Sequence, residues 1–191
     1  MKPISLDDIR GIAAYEKVRA EFRQRIIDLK KRRRIAVGDK VSLVFENRDT
    51  VVFQIQEMMR VENITDLDKI REEIDVYNAM IPKPGELSAT LFIEIEDQSH
   101  LRDELLKFLG IDEAVFLKLG TRKIHARFEE GRSKEDKISA VQYVKFPFTA
   151  EDRAAFAGSE DAILCIDHPN YKAEVCLEAE SRKTLLEDLA E

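Results

Sequence analysis

Leu87-Ser88-Ala89-Thr90-Leu91-Phe92-Ile93-Glu94-Ile95 decides the fold class. Its apolar residues Leu87, Ala89, Leu91, Ile93 and Ile95 fall on every second position, the period of a strand that buries one face. Upstream the period is different. Ile12, Tyr15, Val18, Phe22, Ile26 and Leu29 recur at spacings of three and four, which predicts a long amphipathic helix. Ser5-Leu6-Asp7-Asp8 before it resembles a capping box with Asp in place of Glu. After Gly38, Val41, Leu43 and Phe45 alternate as a strand. Residues 49–63 fit both periods, since Phe53-Gln54-Ile55-Gln56 alternates while Val52, Ile55, Met58 and Met59 suit a helix. Length favours the helix, with Asn47 or Asp49 as its cap. Leu67, Ile70, Ile74 and Tyr77 mark another helix, stopped by Pro82-Lys83-Pro84-Gly85.

Beyond the deciding strand, Ser99 reads as the cap of a short helix that presents Leu101, Leu105, Phe108 and Leu109 and stops at Gly110. Residues 114–119 and 122–128 read as a hairpin about Gly120-Thr121, and 129–137 as a charged loop. A strand at 138–146, a helix at 150–157 capped by Thr149, a hairpin of 163–167 with 171–177 and a helix from Ser181 complete the chain. Early helices followed by hairpins predict an α+β fold. Its sheet is expected to be largely antiparallel, with the N-terminal helices packed on one side and short helices between hairpins.

The 191 residues and 22.0 kDa suit one domain, divided here into a helical arm at 1–38 and a mixed body at 39–191. With 44% hydrophobic and 36% charged residues, the chain can fill a core and carries a highly charged surface, which excludes wholesale disorder. No run approaches the ~20 apolar residues of a membrane span, and Met1-Lys2-Pro3-Ile4-Ser5 lacks a signal-peptide core, so a cytoplasmic location is expected. Cys165 and Cys176 are expected as reduced thiols. The last hairpin sets Cys165 opposite Glu174, leaving Cys176 on a diagonal about 7–8 Å away, long for a disulfide, with a redox pair as the alternative reading.

Charge is unevenly spread. Residues 1–34 hold 11 Lys/Arg against 5 Asp/Glu, a net of +6, and the remainder carries −13. A field of that sign repels phosphate backbones, so nucleic-acid binding is disfavoured except locally, through Lys30, Lys31, Arg32, Arg33 and Arg34. That run reads as a solvated helix end offsetting the macrodipole, or as a docking surface for an acidic protein.

The sequence has no P-loop, no GxGxxG after a strand, no GxSxG elbow and no HExxH, and His100, His125 and His168 lack ligand-spaced partners. Neither a cofactor nor a metal is expected. Three polar clusters interrupt apolar surroundings. Glu46, Asn47 and Arg48 precede a helix bearing Glu57, which suits an anion site or simply a cap with a solvated face. Glu86 follows a tight turn at the start of a strand. His168 adjoins Asp167 at a turn, where it could stabilise the turn or act as a base.

The stretches Phe45–Met58, Pro84–Ile95, Ile138–Tyr143 and Ile166–Pro169 with Tyr171 closely resemble a bacterial family, domain of unknown function 3501, and the resemblance spans essentially the whole chain. Its members tend to be encoded beside rubrerythrin-like proteins and iron–sulfur or flavin oxidoreductases. The resemblance implies a role in peroxide defence or electron transfer, with a rubrerythrin or an iron–sulfur oxidoreductase as partner. Two cysteines cannot hold an iron–sulfur centre. The leading expectation is therefore a non-catalytic accessory protein that docks a redox partner through its basic helix end. The rival is a small ligand-binding or enzymatic domain whose polar pocket gathers Glu46, Asn47, Arg48, Glu57, Glu86 and His168.

Overall fold

The chain folds into three layers, helices on one sheet and that sheet on a second, in a computed structural model that describes residues 1–129, 133–134, 137–158 and 161–190. A 3-10 turn at Leu6–Asp8 precedes α1 (Ile12–Lys31). There follow β1 (Arg34–Val37), β2 (Val41–Glu46), α2 (Arg48–Val61), α3 (Leu67–Asn78), β3 (Glu86–Ile93) and α4 (Leu101–Leu106). Next come β4 (Val115–Leu119), β5 (Arg122–His125), β6 (Arg127–Phe128), β7 (Ser133–Lys134), β8 (Lys137–Ile138) and β9 (Val141–Pro147). The chain closes with α5 (Ala150–Gly158), β10 (Ala162–His168), β11 (Tyr171–Cys176) and α6 (Ala179–Ala190). The fold is α+β, and every strand pair among the described residues is antiparallel.

The strands form two main sheets, ordered β1-β2-β3-β9-β6 and β11-β10-β4-β5, with β7-β8 as a small ribbon. The predicted charged loop at 129–137 lies largely outside the described residues. Leu43, Phe45, Leu87, Leu91, Val144 and Phe146 of the first sheet meet Leu117, Leu164 and Ile166 of the second in one core. A second core joins Val51, Ile55 and Met59 of α2 to Ile70 and Ile74 of α3, with Tyr143 of β9 packed against it. The first sheet is therefore covered on both faces, and all six residues of β2 are buried.

The ambiguous segment is helical because its buried residues, Val51, Val52, Ile55 and Met59, recur at helical spacing. Asn47 caps it: its side chain accepts the Thr50 N–H at 3.0 Å, and Thr50 Oγ1 accepts the Asn47 N–H at 2.9 Å. Two amides tie down the N-terminal segment. Asn78 exchanges two hydrogen bonds with the backbone of Ile4 (2.8 and 2.9 Å), and Gln56 does the same for Arg10 (2.8 and 2.9 Å).

Three elements differ from the sequence-based expectation. The helical arm does not run to residue 38, because α1 ends at Lys31 and Arg34–Val37 is already a strand paired with Val41–Val44. Gly38 makes that turn at φ +77°, and a Cβ there would lie 2.3 Å from the Tyr171 hydroxyl. That hydroxyl donates to the Val37 carbonyl at 2.6 Å and accepts the Lys40 N–H at 3.0 Å, stapling the turn to β11. The expected strand 122–128 divides between the sheets: the N–H of buried Ala126 still bonds the Val115 carbonyl, after which Arg127 and Phe128 pair with β9. Ser99 does not cap α4: it lies in a 3-10 turn, Gln98–His100, that Asp97 caps by accepting the Ser99 N–H at 2.9 Å, and α4 starts directly after His100.

Candidate functional site

The six polar residues singled out in the sequence do not meet in one cleft, and they share no hydrogen-bonding partner outside the cap. Glu46 is buried beneath α2, its two oxygens accepting from the hydroxyls of Thr90 at 2.7 Å and Thr50 at 2.5 Å. Asn47 is the α2 cap. Arg48 turns to the N-terminal segment, donating to the Lys2 carbonyl at 3.1 Å and pairing with Asp8 at 2.6 Å. Asp8 is held down to about 2, by the Ser5 backbone N–H first and then by Arg48.

Glu57 belongs to the α1–α2 interface. It accepts from Arg19 at 2.7 and 2.9 Å, from the Tyr15 hydroxyl at 2.8 Å and from Arg60 at 3.2 Å. These donors, Arg19 foremost, outweigh burial and hold its carboxyl at about 2. His168 is buried in the second sheet, where its Nδ1 accepts the Asn170 N–H at 3.2 Å and its Nε2 donates to the Leu109 carbonyl at 2.8 Å. Both ring nitrogens are thus occupied by backbone, and the imidazole bridges its own turn to the end of the α4 region.

The basic run is not a continuous solvated surface. Arg33 is 2% exposed and forms a bidentate pair with Asp188 of α6, both distances 2.7 Å. Arg34 pairs with Glu94 at 2.6 Å, Arg32 reaches Glu180 at 3.7 Å and Lys31 pairs with Asp28 at 2.7 Å. The expected docking face is corrected accordingly. Strand alternation turns Arg33 inward and Arg34 outward at the start of β1, and a helix-based reading of the run could not anticipate it.

The cysteines follow the hairpin arithmetic, with Cys165 opposite Glu174 and both thiols free. Burial, then Glu174, pushes the Cys165 thiol up, which makes it a poor nucleophile. Among the described residues, no cluster of three or more His, Cys, Asp or Glu side chains is placed to hold a metal ion.

A concave site lies between α3 and the helix-facing side of the β3-β9-β6 corner, with a volume of about 470 Å³. Val76, Tyr77, Met80, Phe128 and Tyr143 give it an apolar body, and Lys83, Arg127, Lys145, Glu73 and Glu129 a charged surround. Its floor follows from strand register. Glu46 lies opposite Ser88, Ser88 opposite Lys145 and Lys145 opposite Arg127, so these four side chains form one row on the face of the sheet beneath the helices. Ser88 is 4% exposed and lines the cleft, and its hydroxyl makes no hydrogen bond to any described residue. Lys145 is held by Glu86 at 2.7 Å, whereas Lys83 and Arg127 have no ion-pair partner among the described residues.

The model of the family described as "Protein of unknown function (DUF3501)" matches residues 3–189. The chain belongs to the DUF3501 family. A crystal structure of a novel protein of unknown function from Burkholderia pseudomallei superposes with a TM-score of 0.92 at 32% identity, covering 98% of this chain and 100% of that one. No curated protein matches. Among the described residues of this DUF3501 chain, no helix is long and apolar enough to cross a membrane. None of the six sequence candidates lines the cleft of this DUF3501 protein: Glu86 reaches it through Lys145, and Glu46 lies buried at the inner end of the Ser88 row. Ser88, Arg127 and Lys145 were missed. The available signal was their spacing: Ser88 and Lys145 sit on polar positions of otherwise apolar alternating strands.

Proposed function

We propose that this protein is a binding domain for a small amphipathic molecule with an anionic head, received in the cleft between α3 and β9. The single observation that carries the reading is the mostly apolar cleft itself, onto which the Ser88 hydroxyl, bonded to no described residue, opens directly beside Lys145 and in one row with Arg127. Small-molecule sites are typically clefts of roughly 300–1,000 Å³ with apolar walls and a few convergent polar groups, and the 470 Å³ here fits that description. In this reading the Ser88 hydroxyl and the Arg127 guanidinium donate to the head group, and Lys145 adds one of the ammonium hydrogens that Glu86 leaves unused. Tyr77, Met80, Phe128 and Tyr143 hold the apolar body.

An accessory role beside a rubrerythrin or an iron–sulfur oxidoreductase is compatible with this reading, because a ligand-binding domain can report to a partner. Its support is the family resemblance. The basic run, broken by the burial of Arg33, offers it no continuous docking face.

Calorimetry and thermal shift with octanoate and 4-butylbenzoate test the reading. Saturable binding with a rise in Tm is expected for the wild type. Arg127→Ala is expected to weaken binding at least tenfold, the equivalent of a lost charge-assisted hydrogen bond of about 1.5–3 kcal/mol, and to leave the unliganded Tm unchanged because Arg127 is exposed. Failure of both acids to bind retires the proposal.

A further inference from the structure

We infer that β11 is a docking edge for a second copy of this chain, which pairs with it antiparallel about a two-fold axis through Ala173 and joins the second sheets of both copies. The inference is independent of the cleft, which belongs to the first sheet. β11 is the end strand of its sheet, and the ladder fixes the direction of its backbone groups. The Asp167 N–H donates to the Ala114 carbonyl at 2.9 Å, so the odd-numbered residues of β10 turn their backbone to β4 and the even-numbered ones turn theirs to β11. The Leu177 N–H accordingly reaches the Ala162 carbonyl at 2.7 Å, and the register places Tyr171, Ala173 and Val175 in the same ladder. Lys172, Glu174 and Cys176 therefore direct their N–H and C=O groups away from the sheet. All three residues are exposed, and those groups bond no described residue.

An open edge is a template for another strand, and the charge order on this one selects both the partner and the register. Hydrogen-bonded pairs across a two-fold axis come only from the outward residues, so the axis passes through a residue. An axis at Lys172 sets lysine against lysine, one at Glu174 sets glutamate against glutamate, and one nearer either end pairs less of the strand. With the axis at Ala173, Lys172 of each copy lies directly opposite Glu174 of the other. The two residues exchange both backbone bonds and bring opposite charges side by side on the outer face. On the inner face, half-buried Tyr171 and Val175 cover one another, and Ala173 meets its own copy with a side chain small enough for close approach at the axis. Lys172 already pairs with Asp167 of its own hairpin at 2.8 Å, on the outer face from which it reaches across. The opposite edge of the sheet has no such order. There β5 turns Lys123 and His125 outward with no acid between them, and the chain leaves for the first sheet at Arg127.

The experiment is sedimentation equilibrium of the full-length protein over a range of concentrations at low salt, on the wild type, Glu174→Lys, Lys172→Glu and an equimolar mixture of the two variants, with circular dichroism to confirm that each is folded. The wild type is expected to form a reversible dimer. Each variant alone sets like charges opposite each other in both pairs and is expected to raise the dimer Kd at least tenfold. In the mixture both pairs are again of opposite charge, and a heterodimer forming at least tenfold more tightly than either variant's own dimer is expected.

A wild type that stays monomeric at every concentration overturns the inference, and this measurement needs no variant to fold. A dimer that neither reversal weakens lies on another surface and overturns it too, as does loss of the dimer in both folded variants without recovery in the mixture. Octanoate affinity is expected to be the same in the wild type and Glu174→Lys, so the docking edge and the binding cleft stand or fall separately.

Discussion

Arg33 and Asp188 lie 155 positions apart in the chain and meet in the interior as a bidentate pair, each guanidinium nitrogen 2.7 Å from a carboxylate oxygen. Arg33 also donates to the Phe45 carbonyl at 3.3 Å, so one side chain joins the start of the first sheet, its second strand and the C-terminal helix. Arg33 Nε finds no hydrogen-bond partner among the described residues, which marks this as a pair held by geometry at some cost.

Removing Arg33 takes from the buried Asp188 carboxylate its bidentate guanidinium partner. Arg33→Met is expected to destabilise the protein by about 3–5 kcal/mol, and the double replacement Arg33→Met with Asp188→Leu to recover much of that loss. Arg32→Ala, which removes an exposed side chain 3.7 Å from the exposed Glu180, is expected to cost less than about 1 kcal/mol. Urea unfolding monitored by circular dichroism checks all three, and equal costs for Arg32 and Arg33 would contradict the buried pair.

The Glu57 network gives a pH dependence. Its carboxyl is lowered from 4.5 to about 2 in the folded protein, by Arg19 first. A group with a depressed folded value contributes stability that is fully present above the unfolded value and lost as the pH falls through the folded one. The contribution therefore fades between about pH 4.5 and 2. The expected outcome is that the wild type exceeds Glu57→Gln in stability at pH 7 and that the gap closes across this window. Denaturation midpoints measured from pH 7 down to 2 follow it, and a gap independent of pH would rule out the carboxylate as its source.

His168 is expected to behave as a structural residue. His168→Ala leaves the Leu109 carbonyl without its donor, at a cost of about 1–3 kcal/mol, and is expected to leave octanoate affinity in the cleft unchanged. Nitrogen-15 NMR of the imidazole is expected to report the Nε2–H tautomer. A protonated Nδ1, or a loss of ligand binding in the variant, would count against this assignment.

How much was legible from the residues varies with the distance over which each feature is decided. The α2 cap at Asn47, the strand face of Leu87, Leu91 and Ile93, and the opposition of Cys165 and Glu174 all follow from patterns within a few residues, and the structure contains them. The fate of individual charges was not legible in the same way. Lys30 to Arg34 read as one basic block because the sequence does not mark where α1 stops and the alternation of β1 starts. The cleft was hidden for a related reason: Ser88, Arg127 and Lys145 belong to strands separated in the chain, and each alone looks like an ordinary polar residue on a sheet.

By itself the sequence determined the identity of most elements, the faces they bury and the antiparallel α+β class, because periodicity, caps and turn residues act locally and need no knowledge of neighbours. Only the tertiary structure decided which strands lie side by side, and with them the inward turn of Arg33 onto Asp188 and the row of Ser88, Lys145 and Arg127 that floors the cleft. The physical reason is that burial and charge compensation depend on groups brought from distant parts of the chain, and their partners exist only once both sheets have assembled.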